Sequence, residues 1–263
     1  MRGRVNFTNV LLAFWLLLLL IGITAELHPD EVSLAHILQP PSSELWLGAD
    51  DLGRPVFDRL IAGARVSLLL AVIVVMISLF VGLSVGVLSA YIGGKFDNVI
   101  SHIIDIFLAF PGILLAIALA GILGPGELNV IIALTAVGWV GFARLARAQV
   151  LSIRHYDHVS AAQALGQPSY RILLLHIVPL LAAPIIVEAS FAFASVMIAE
   201  AGLSFLGLGV QPPQASWGSM IRDGSRYLLV APHLTLIPGL VLMSAVLLFN
   251  LAGDRLRDHL NVK

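Results

Sequence analysis

The chain has 263 residues, of which 59% are hydrophobic and only 12% are charged. A soluble domain carries about 25% charged residues, so this composition excludes an ordinary soluble protein. The formal net charge of −1 excludes the basic surface typical of nucleic-acid binding. The absence of cysteine excludes disulfides and thiolate metal sites. The apolar residues lie in long runs, which predicts an all-α, multi-pass membrane protein.

Six apolar runs predict six transmembrane helices, because a helix needs about 20 residues to cross a bilayer core about 30 Å thick. In chain order these runs are 6–27, 67–91, 99–123, 128–148, 174–199 and 234–252. Their connections differ in character. Segment 26–65 is long and acidic, 149–171 is a polar loop, and 202–231 is rich in Gly, Pro and Trp.

At the first run, Arg2 and Arg4 precede the apolar residues 10–23, which are followed by Thr24 and Ala25; this pattern is shared by uncleaved anchors and signal peptides. Ile23 is not the small residue that a cleavage site after Ala25 needs, which favours an anchor. With the N-terminus inside, ten Lys and Arg residues fall in inner segments and five in outer ones, so both termini are predicted to be cytoplasmic. We divide the chain into an anchor with a periplasmic segment, 1–65, and a five-helix core, 66–263, with loop 149–171.

The polar loop contains a predicted helix over 154–165. Gly166 follows where a left-handed residue commonly ends a helix, and Pro168 prevents its continuation. A polar helix inserted between two membrane spans needs a partner outside the bilayer. Its small residues, such as Ala161 and Ala162, leave room for close docking.

This loop resembles the one by which permeases of ATP-binding-cassette (ABC) importers hold their ATPase subunits. That family's loop reads Glu-Ala-Ala, then Gly after a short gap, then Ile-x-Leu-Pro. Ala161, Ala162, Gly166 and Pro179 match at the family's spacing, whereas Ser160 stands where the Glu usually is, which argues against a salt bridge to the ATPase from that position but not against docking. The resemblance implies that one set of residues docks an ATPase: Asp157, Ser160, Ala161, Ala162, Leu165 and Gly166.

Three further stretches look like the second ("C") permease of the dipeptide, oligopeptide and nickel importers. They are 46–54 running on to 63–68, 203–213 with Trp217-Gly218, and 249–258. The resemblance implies a type I importer permease fold with a cytoplasmic coupling helix, located in the cell inner membrane, that takes up small peptides. It also implies four partners: a homologous second permease, two ATPases and an extracytoplasmic substrate-binding protein. Nickel or another small solute is the alternative cargo.

The chain is predicted to be non-catalytic. It lacks the G-x-x-x-x-G-K-[ST] phosphate loop, so ATP and Mg²⁺ are expected on the partner ATPases, with no cofactor or metal in this chain. An ion-coupled secondary transporter, working without an ATPase, is an alternative from another class. A membrane-anchored structural protein, without a cavity, is a third.

Three acidic residues lie in or near the predicted spans: Asp105, Glu188 and Glu200. A carboxylate in the membrane costs several kcal/mol on the milder scales unless it faces the bundle interior or water. All three are therefore candidates for the translocation path, and Glu188 lies deepest in its span. The Gly- and Pro-rich stretch 202–231 predicts a re-entrant or interfacial element at the outer mouth, with Trp217 at the level of the lipid headgroups.

Overall fold

The computed structural model describes Leu11, Trp15 and residues 27–261. We number its helices in chain order: α1 is Val56–Ile92, α2 Gly94–Ala109, α3 Gly112–Leu123, α4 Glu127–Ile153, α5 Asp157–Ala164, α6 Ser169–Phe205, α7 Trp217–Ser225 and α8 His233–Asn261. A 3₁₀ turn, Leu34–His36, lies in the segment before α1. The described part of the chain is therefore all-helical, as the composition predicts.

Four helices in the described residues are long and apolar enough to cross a membrane, namely α1, α4, α6 and α8. They contain the predicted runs 67–91, 128–148, 174–199 and 234–252, and each extends beyond its run. α1 has 37 residues, or about 55 Å at 1.5 Å per residue, so its ends project from a hydrocarbon core about 30 Å thick. The division at residue 65 falls within α1. The first run, 6–27, lies outside the described residues except at three positions, so the count of six stays a prediction.

The predicted third span, 99–123, is divided into two helices in the structure. α2 and α3 meet at 86°, and the corner lies at Phe110 and Pro111. Phe110 is extended, with φ −102 and ψ 141, because the proline ring disfavours helical backbone in the preceding residue. The pair is either a broken span or a re-entrant loop. Counted as one span, it raises the crossings in the described residues to five.

α1 and α4 pack closely because small residues lie between them. A Cβ added at Gly82 would lie 2.6 Å from the Cβ of Phe142, and one at Gly86 would lie 3.0 Å from the Cβ of Ala146. Small residues one turn apart let two helix backbones approach in a membrane. Larger side chains at either glycine would separate the two helices.

An ion pair joins α1, α2 and α4 at the end of the bundle from which α5 departs. Arg147 donates from Nε and Nη2 to the two oxygens of Asp97 at 2.6 and 2.7 Å. Ser89 donates to the same carboxylate at 2.7 Å. Arg154 Nη1 donates to the carbonyl of Ala90 at 3.1 Å. These contacts fix the C-terminal ends of α1 and α4 relative to each other.

α6 widens into a π-helical turn, Ile172–Ile177, immediately before Val178 and Pro179. Proline has no N–H and its ring collides with the carbonyl four residues earlier in an α-helix. The wider turn avoids that collision without ending the helix. α6 therefore continues from the polar loop to Phe205 past both Pro179 and Pro184.

At the opposite end of α1, segment 27–55 packs on the first helical turns. The buried Arg59 guanidinium donates to the carbonyls of Pro29 and Pro213 at 3.2 and 3.4 Å. Its Nε lies 3.3 Å from Asp50, which also binds Arg54 at 2.7 Å. Arg59 thereby holds the segment before α1 and the segment before α7 on the same helix.

The position of Trp217 at the headgroup level stays a prediction, but the structure buries this residue within the protein. Its side chain is 0% exposed, and its Nε1 donates to the carbonyl of Leu60 at 3.1 Å. Its backbone N–H points to Ser67 Oγ at 3.3 Å. A buried indole needs a partner for its N–H, and α1 provides it. α7 is thus a short helix packed on α1, α6 and α8.

Candidate functional site

α5, the helix of the polar loop, has a buried face and an exposed face. Val159 and Ala162 are 0% and 4% exposed and belong to the same apolar cluster as Ile172 and Ile177 of α6. Ala162 therefore packs within this chain, although the sequence analysis grouped it with the docking residues. This inward packing fixes the orientation in which the rest of α5 faces away from the bundle.

The exposed face of α5 contains most of the remaining predicted docking residues. Asp157, Ser160 and Ala161 are exposed, and Leu165, directly after the helix, is 81% exposed. A leucine this exposed at the end of a short helix adds apolar surface that an adjoining protein can cover. The structure thus brings these four residues to one surface.

Gly166 ends α5 in a Schellman motif. Its φ is +73, which glycine adopts at no steric cost. The Gln167 N–H donates to the Ala162 carbonyl at 3.1 Å, and the Gly166 N–H donates to the Gln163 carbonyl at 2.9 Å. In the described part of the chain, no atom beyond the adjoining residues lies within 4 Å of a Cβ added at Gly166. Backbone conformation, not lack of space, requires glycine here.

Polar and aromatic contacts join α5 to the π turn of α6. His176 Nε2 and Gln167 Oε1 lie 3.2 Å apart. The rings of His158 and His176 have centroids 6.1 Å apart, and those of Tyr156 and His158 lie 5.8 Å apart. A displacement of α5 therefore acts directly on the first turns of α6.

Glu188 lines an open cavity of about 450 Å³ between α4, α6 and α8. The cavity has a mixed lining: Leu145, Gln149, Leu180, Ala183, Pro184, Val187, Glu188, Phe191, Arg257 and Leu260. Glu188 is half-buried, and among the described residues it makes no hydrogen bond or ion pair. The sequence analysis gave neither Gln149 nor Arg257 a role in a site, because only the packing of three helices brings them to Glu188.

Glu200 is enclosed, in contrast to Glu188. It is 0% exposed, and its oxygens accept hydrogen bonds from Ser204 at 2.7 Å and from Ser67 at 3.1 Å. Ser67 in turn lies 3.3 Å from the N–H of Trp217. The carboxylate therefore connects α6, α1 and α7 within the protein. Its predicted contact with cargo remains untested.

Asp105, the third acidic candidate, is exposed on α2. It lies apart from the Glu188 cavity, whose lining comes from α4, α6 and α8. The structure thus separates the three acids that the sequence analysis grouped as path candidates. Of these three acids, Glu188 is the one that lines the cavity formed by the described parts of α4, α6 and α8.

Together these features define a multi-pass helical membrane protein that exposes a short helix between two membrane-crossing helices. Residues 82–263 match the family described as binding-protein-dependent transport system inner membrane component. The chain belongs to this family, as the resemblance in its sequence motifs predicts.

Named relatives cover nearly all of the chain. It is 42% identical over 262 residues to the dipeptide transport system permease protein DppC of Alkalihalophilus pseudofirmus, which covers 99% of this chain and 84% of the relative. It is 40% identical over 223 residues to the glutathione transport system permease protein GsiD of Pectobacterium atrosepticum, covering 85% and 74%. It is 38% identical over 264 residues to the nickel transport system permease protein NikC of Escherichia coli K12, covering 99% and 94%.

The fold is similar to that of a solved ABC transporter. A structure of the MetNI methionine ABC transporter in an inward-facing conformation superposes with a TM-score of 0.64, covering 78% of this chain and 97% of that chain. A second crystal form gives a TM-score of 0.62. Sequence identity is 21% in both cases, so this likeness concerns the fold alone.

Proposed function

We propose that this permease subunit of a binding-protein-dependent importer carries small peptides across the inner membrane. The observation that carries the proposal is its identity of 42%, over 99% of its length, with a dipeptide permease. The chain is a membrane component of the transporter. ATP hydrolysis takes place on the partner ATPases, which bind the ATP and Mg²⁺.

The working complex we infer contains this chain, a homologous second permease, two ATPases and an extracytoplasmic binding protein. The exposed face of α5 is the ATPase-docking surface, formed by Asp157, Ser160, Ala161 and Leu165, while Gly166 ends the helix. Closure of the ATPases around ATP displaces α5. The contacts with the π turn then transmit this displacement to α6, and alternating access follows from rigid movement of the attached spans.

The orientation that fits this role has both termini and α5 in the cytoplasm, with segment 27–55 in the periplasm. Six spans result if the run 6–27 forms the first. In terms of domains, 1–65 then forms the anchor and periplasmic segment, and 66–263 forms the core with loop 149–171. The bias of Lys and Arg towards the inner segments supports this orientation.

Glu188 is the residue we assign to the translocation path, since its carboxylate faces a cavity and has no partner among the described residues. Asp105 is exposed on α2, where a contact with the second permease would also satisfy it. Glu200 satisfies its oxygens within the chain, which supports a structural role better than a contact with cargo.

Nickel is the second candidate cargo, because NikC is 38% identical over 99% of this chain. Uptake of labelled dipeptide and of Ni²⁺ by the same reconstituted transporter separates the two cargoes. An ion-coupled secondary transporter would take up cargo without ATPase subunits, so their omission tests that alternative in the same assay.

The docking surface is tested with Leu165→Asp, which places a charge on an exposed apolar position without entering the core. We expect this variant to reach the membrane but to lose co-purification of the ATPases and ATP-driven uptake. Leu229→Asp is the matched control, because Leu229 is 100% exposed and lies between α7 and α8. Retention of the ATPases by both Leu165→Asp and Ala161→Arg would contradict docking through α5.

A further inference from the structure

The geometry points to the Glu188 cavity as a transit site for a zwitterionic small peptide, with Glu188 receiving the peptide's ammonium group and Arg257 its carboxylate. This inference rests on the proposed function and goes further, because it names the two charges that recognise the cargo inside the permease. Arg257 belongs to the stretch 249–258 that carries the family resemblance, but the sequence analysis gave it no role in a site.

The first step concerns the environment of Glu188. It lies far from both ends of α6, and Gly141 of α4 leaves it room, since a Cβ added there would lie 3.5 Å from Glu188 Oε1. Among the described residues, nothing donates a hydrogen bond to it. A carboxylate within a membrane span faces water or a partner of opposite charge. The cavity provides the water, and a cationic group of the cargo provides the partner.

The second step is the opposite charge on the same cavity. Arg257, on α8, lines it together with Glu188, and among the described residues Arg257 makes no ion pair. Gln149 of α4 adds an amide that can donate and accept hydrogen bonds. The remaining lining is largely apolar and includes Leu145, Val187 and Phe191.

The third step matches this lining to a class of ligand. A free dipeptide has an ammonium group at one end, a carboxylate at the other, an amide between them and side chains of variable polarity. One anion, one cation, one amide and an apolar wall complement these groups. The volume of about 450 Å³ lies within the range of about 300–1,000 Å³ found for small-molecule sites.

The same lining is unfavourable for a bare divalent cation. Arg257 would repel Ni²⁺, and among the described residues no three His, Cys, Asp or Glu side chains come together as metal ligands. Transition-metal ions in proteins are held by imidazole, thiolate or carboxylate groups. The cavity therefore favours peptide over free nickel as the cargo of this permease.

A transit site has to release its cargo, so millimolar affinity is sufficient and the binding protein determines most of the selectivity. Two solvated charges in the lining of an open cavity provide weak, orienting attraction of this kind, because water screens them. The site also accepts different dipeptides, since it contacts the groups that all free peptides share.

The test uses the absence of cysteine from the chain. Val187→Cys places one thiol in the cavity, and Ser152→Cys places one on an exposed site outside the cavity. Both are measured in the complex with the second permease and the ATPases, without binding protein. The rate of maleimide labelling is measured in the presence of alanyl-alanine and, separately, of N-acetyl-alanyl-alanine amide, which has neither terminal charge. We expect alanyl-alanine alone to slow labelling of the cavity thiol by 1 + [L]/Kd, about tenfold at ten times Kd.

Two variants then assign the charges. Glu188→Gln should reduce protection by alanyl-alanine to the level that the N-acetylated dipeptide gives when Glu188 is present. Arg257→Gln should reduce it to the level that the dipeptide with a C-terminal amide gives when Arg257 is present. Equal protection by free and capped dipeptides, or none at any soluble concentration, would overturn the assignment. Leu145→Cys replaces Val187→Cys if the latter complex does not assemble.

The proposed function has a separate readout, which is ATP-driven dipeptide uptake by the complete transporter with its binding protein. Uptake without protection of the cavity thiol would overturn the transit site and leave the function standing. Absence of peptide uptake in a fully assembled transporter would reject the proposed cargo itself.

Discussion

Two carboxylates of α6 have opposite surroundings. Glu200 is fully buried and accepts hydrogen bonds from Ser67 and Ser204, whereas Glu188 faces an open cavity without a partner among the described residues. A buried polar group is tolerated when its hydrogen bonds are made. Glu200 therefore contributes to the connection of α1, α6 and α7, and Glu188 is the residue we propose for the translocation path.

Two replacements of Glu200 distinguish the contribution of its hydrogen bonds to stability from the contribution of its shape. Glu200→Leu leaves the hydroxyls of Ser67 and Ser204 without their acceptor, which costs about 1–3 kcal/mol per unsatisfied buried group. Glu200→Gln keeps an acceptor and most of the volume. We expect the midpoint of thermal unfolding in detergent to fall clearly for Leu and slightly for Gln.

Ser195→Ala is the control for this pair, because Ser195 is exposed on the same helix and donates only to the carbonyl of Phe191. Its midpoint should stay close to that of the wild type. Equal midpoints for the wild type and Glu200→Leu would show that the enclosed carboxylate is not a structural connection.

At the scale of elements, α7 depends on its neighbours because it is only nine residues long. Ser216 and Ser219 form a capping box at its start, with reciprocal hydrogen bonds of 3.2 and 2.9 Å. Gly218 lets α7 approach α6, since a Cβ there would lie 2.6 Å from Cα of Ala201. The helix is therefore held by its cap and by close packing together.

Gly218 and Gly202 form a matched pair that tests this packing. Gly218→Ala forces α7 away from α6, and we expect a loss of about 1–3 kcal/mol, as for other overpacked cores. A Cβ added at Gly202 meets no atom within 4 Å among the described residues outside its own helix turn, so Gly202→Ala should be neutral or stabilise α6 by up to about 1 kcal/mol. Thermal unfolding of both variants measures the difference, and equal stabilities would contradict close packing of α7 on α6.

At the scale of the whole molecule, α1 separates two chemically different ends. Segment 27–55 packs on the first turns of α1 through Arg59. The last turn of α1 contacts Arg154 near α5. The end with segment 27–55 is rich in acids, and the end with α5 is rich in Lys and Arg. This asymmetry is the basis for the proposed orientation in the membrane.

The orientation is tested by single cysteines at the two ends. Ser43 and Ser152 are both exposed, and they lie before α1 and in the last turn of α4. In intact cells, an impermeant maleimide should label Ser43→Cys and leave Ser152→Cys unlabelled until the membrane is opened. The cysteine-free wild-type chain is the background control. Labelling of Ser152→Cys from outside would contradict the proposed topology.

The sequence alone determines the features that depend on neighbouring residues. The apolar runs predict the regions of α1, α4, α6 and α8, because membrane insertion depends on hydropathy summed along a local window. The glycine after the polar loop helix predicts its end, because the left-handed conformation of Gly166 is a local property. The ordered motifs predict the family, which the match over residues 82–263 confirms.

Only the tertiary structure decides which polar groups meet. Glu200 bonds to Ser67 across 133 positions of sequence, and Trp217 bonds to Leu60 across 157, so no local pattern distinguishes Glu200 from Glu188. Ala162 faces inward and Arg257 joins the Glu188 cavity for the same reason. Hydropathy reports whether a side chain can leave water, whereas helix packing determines which partner it then contacts.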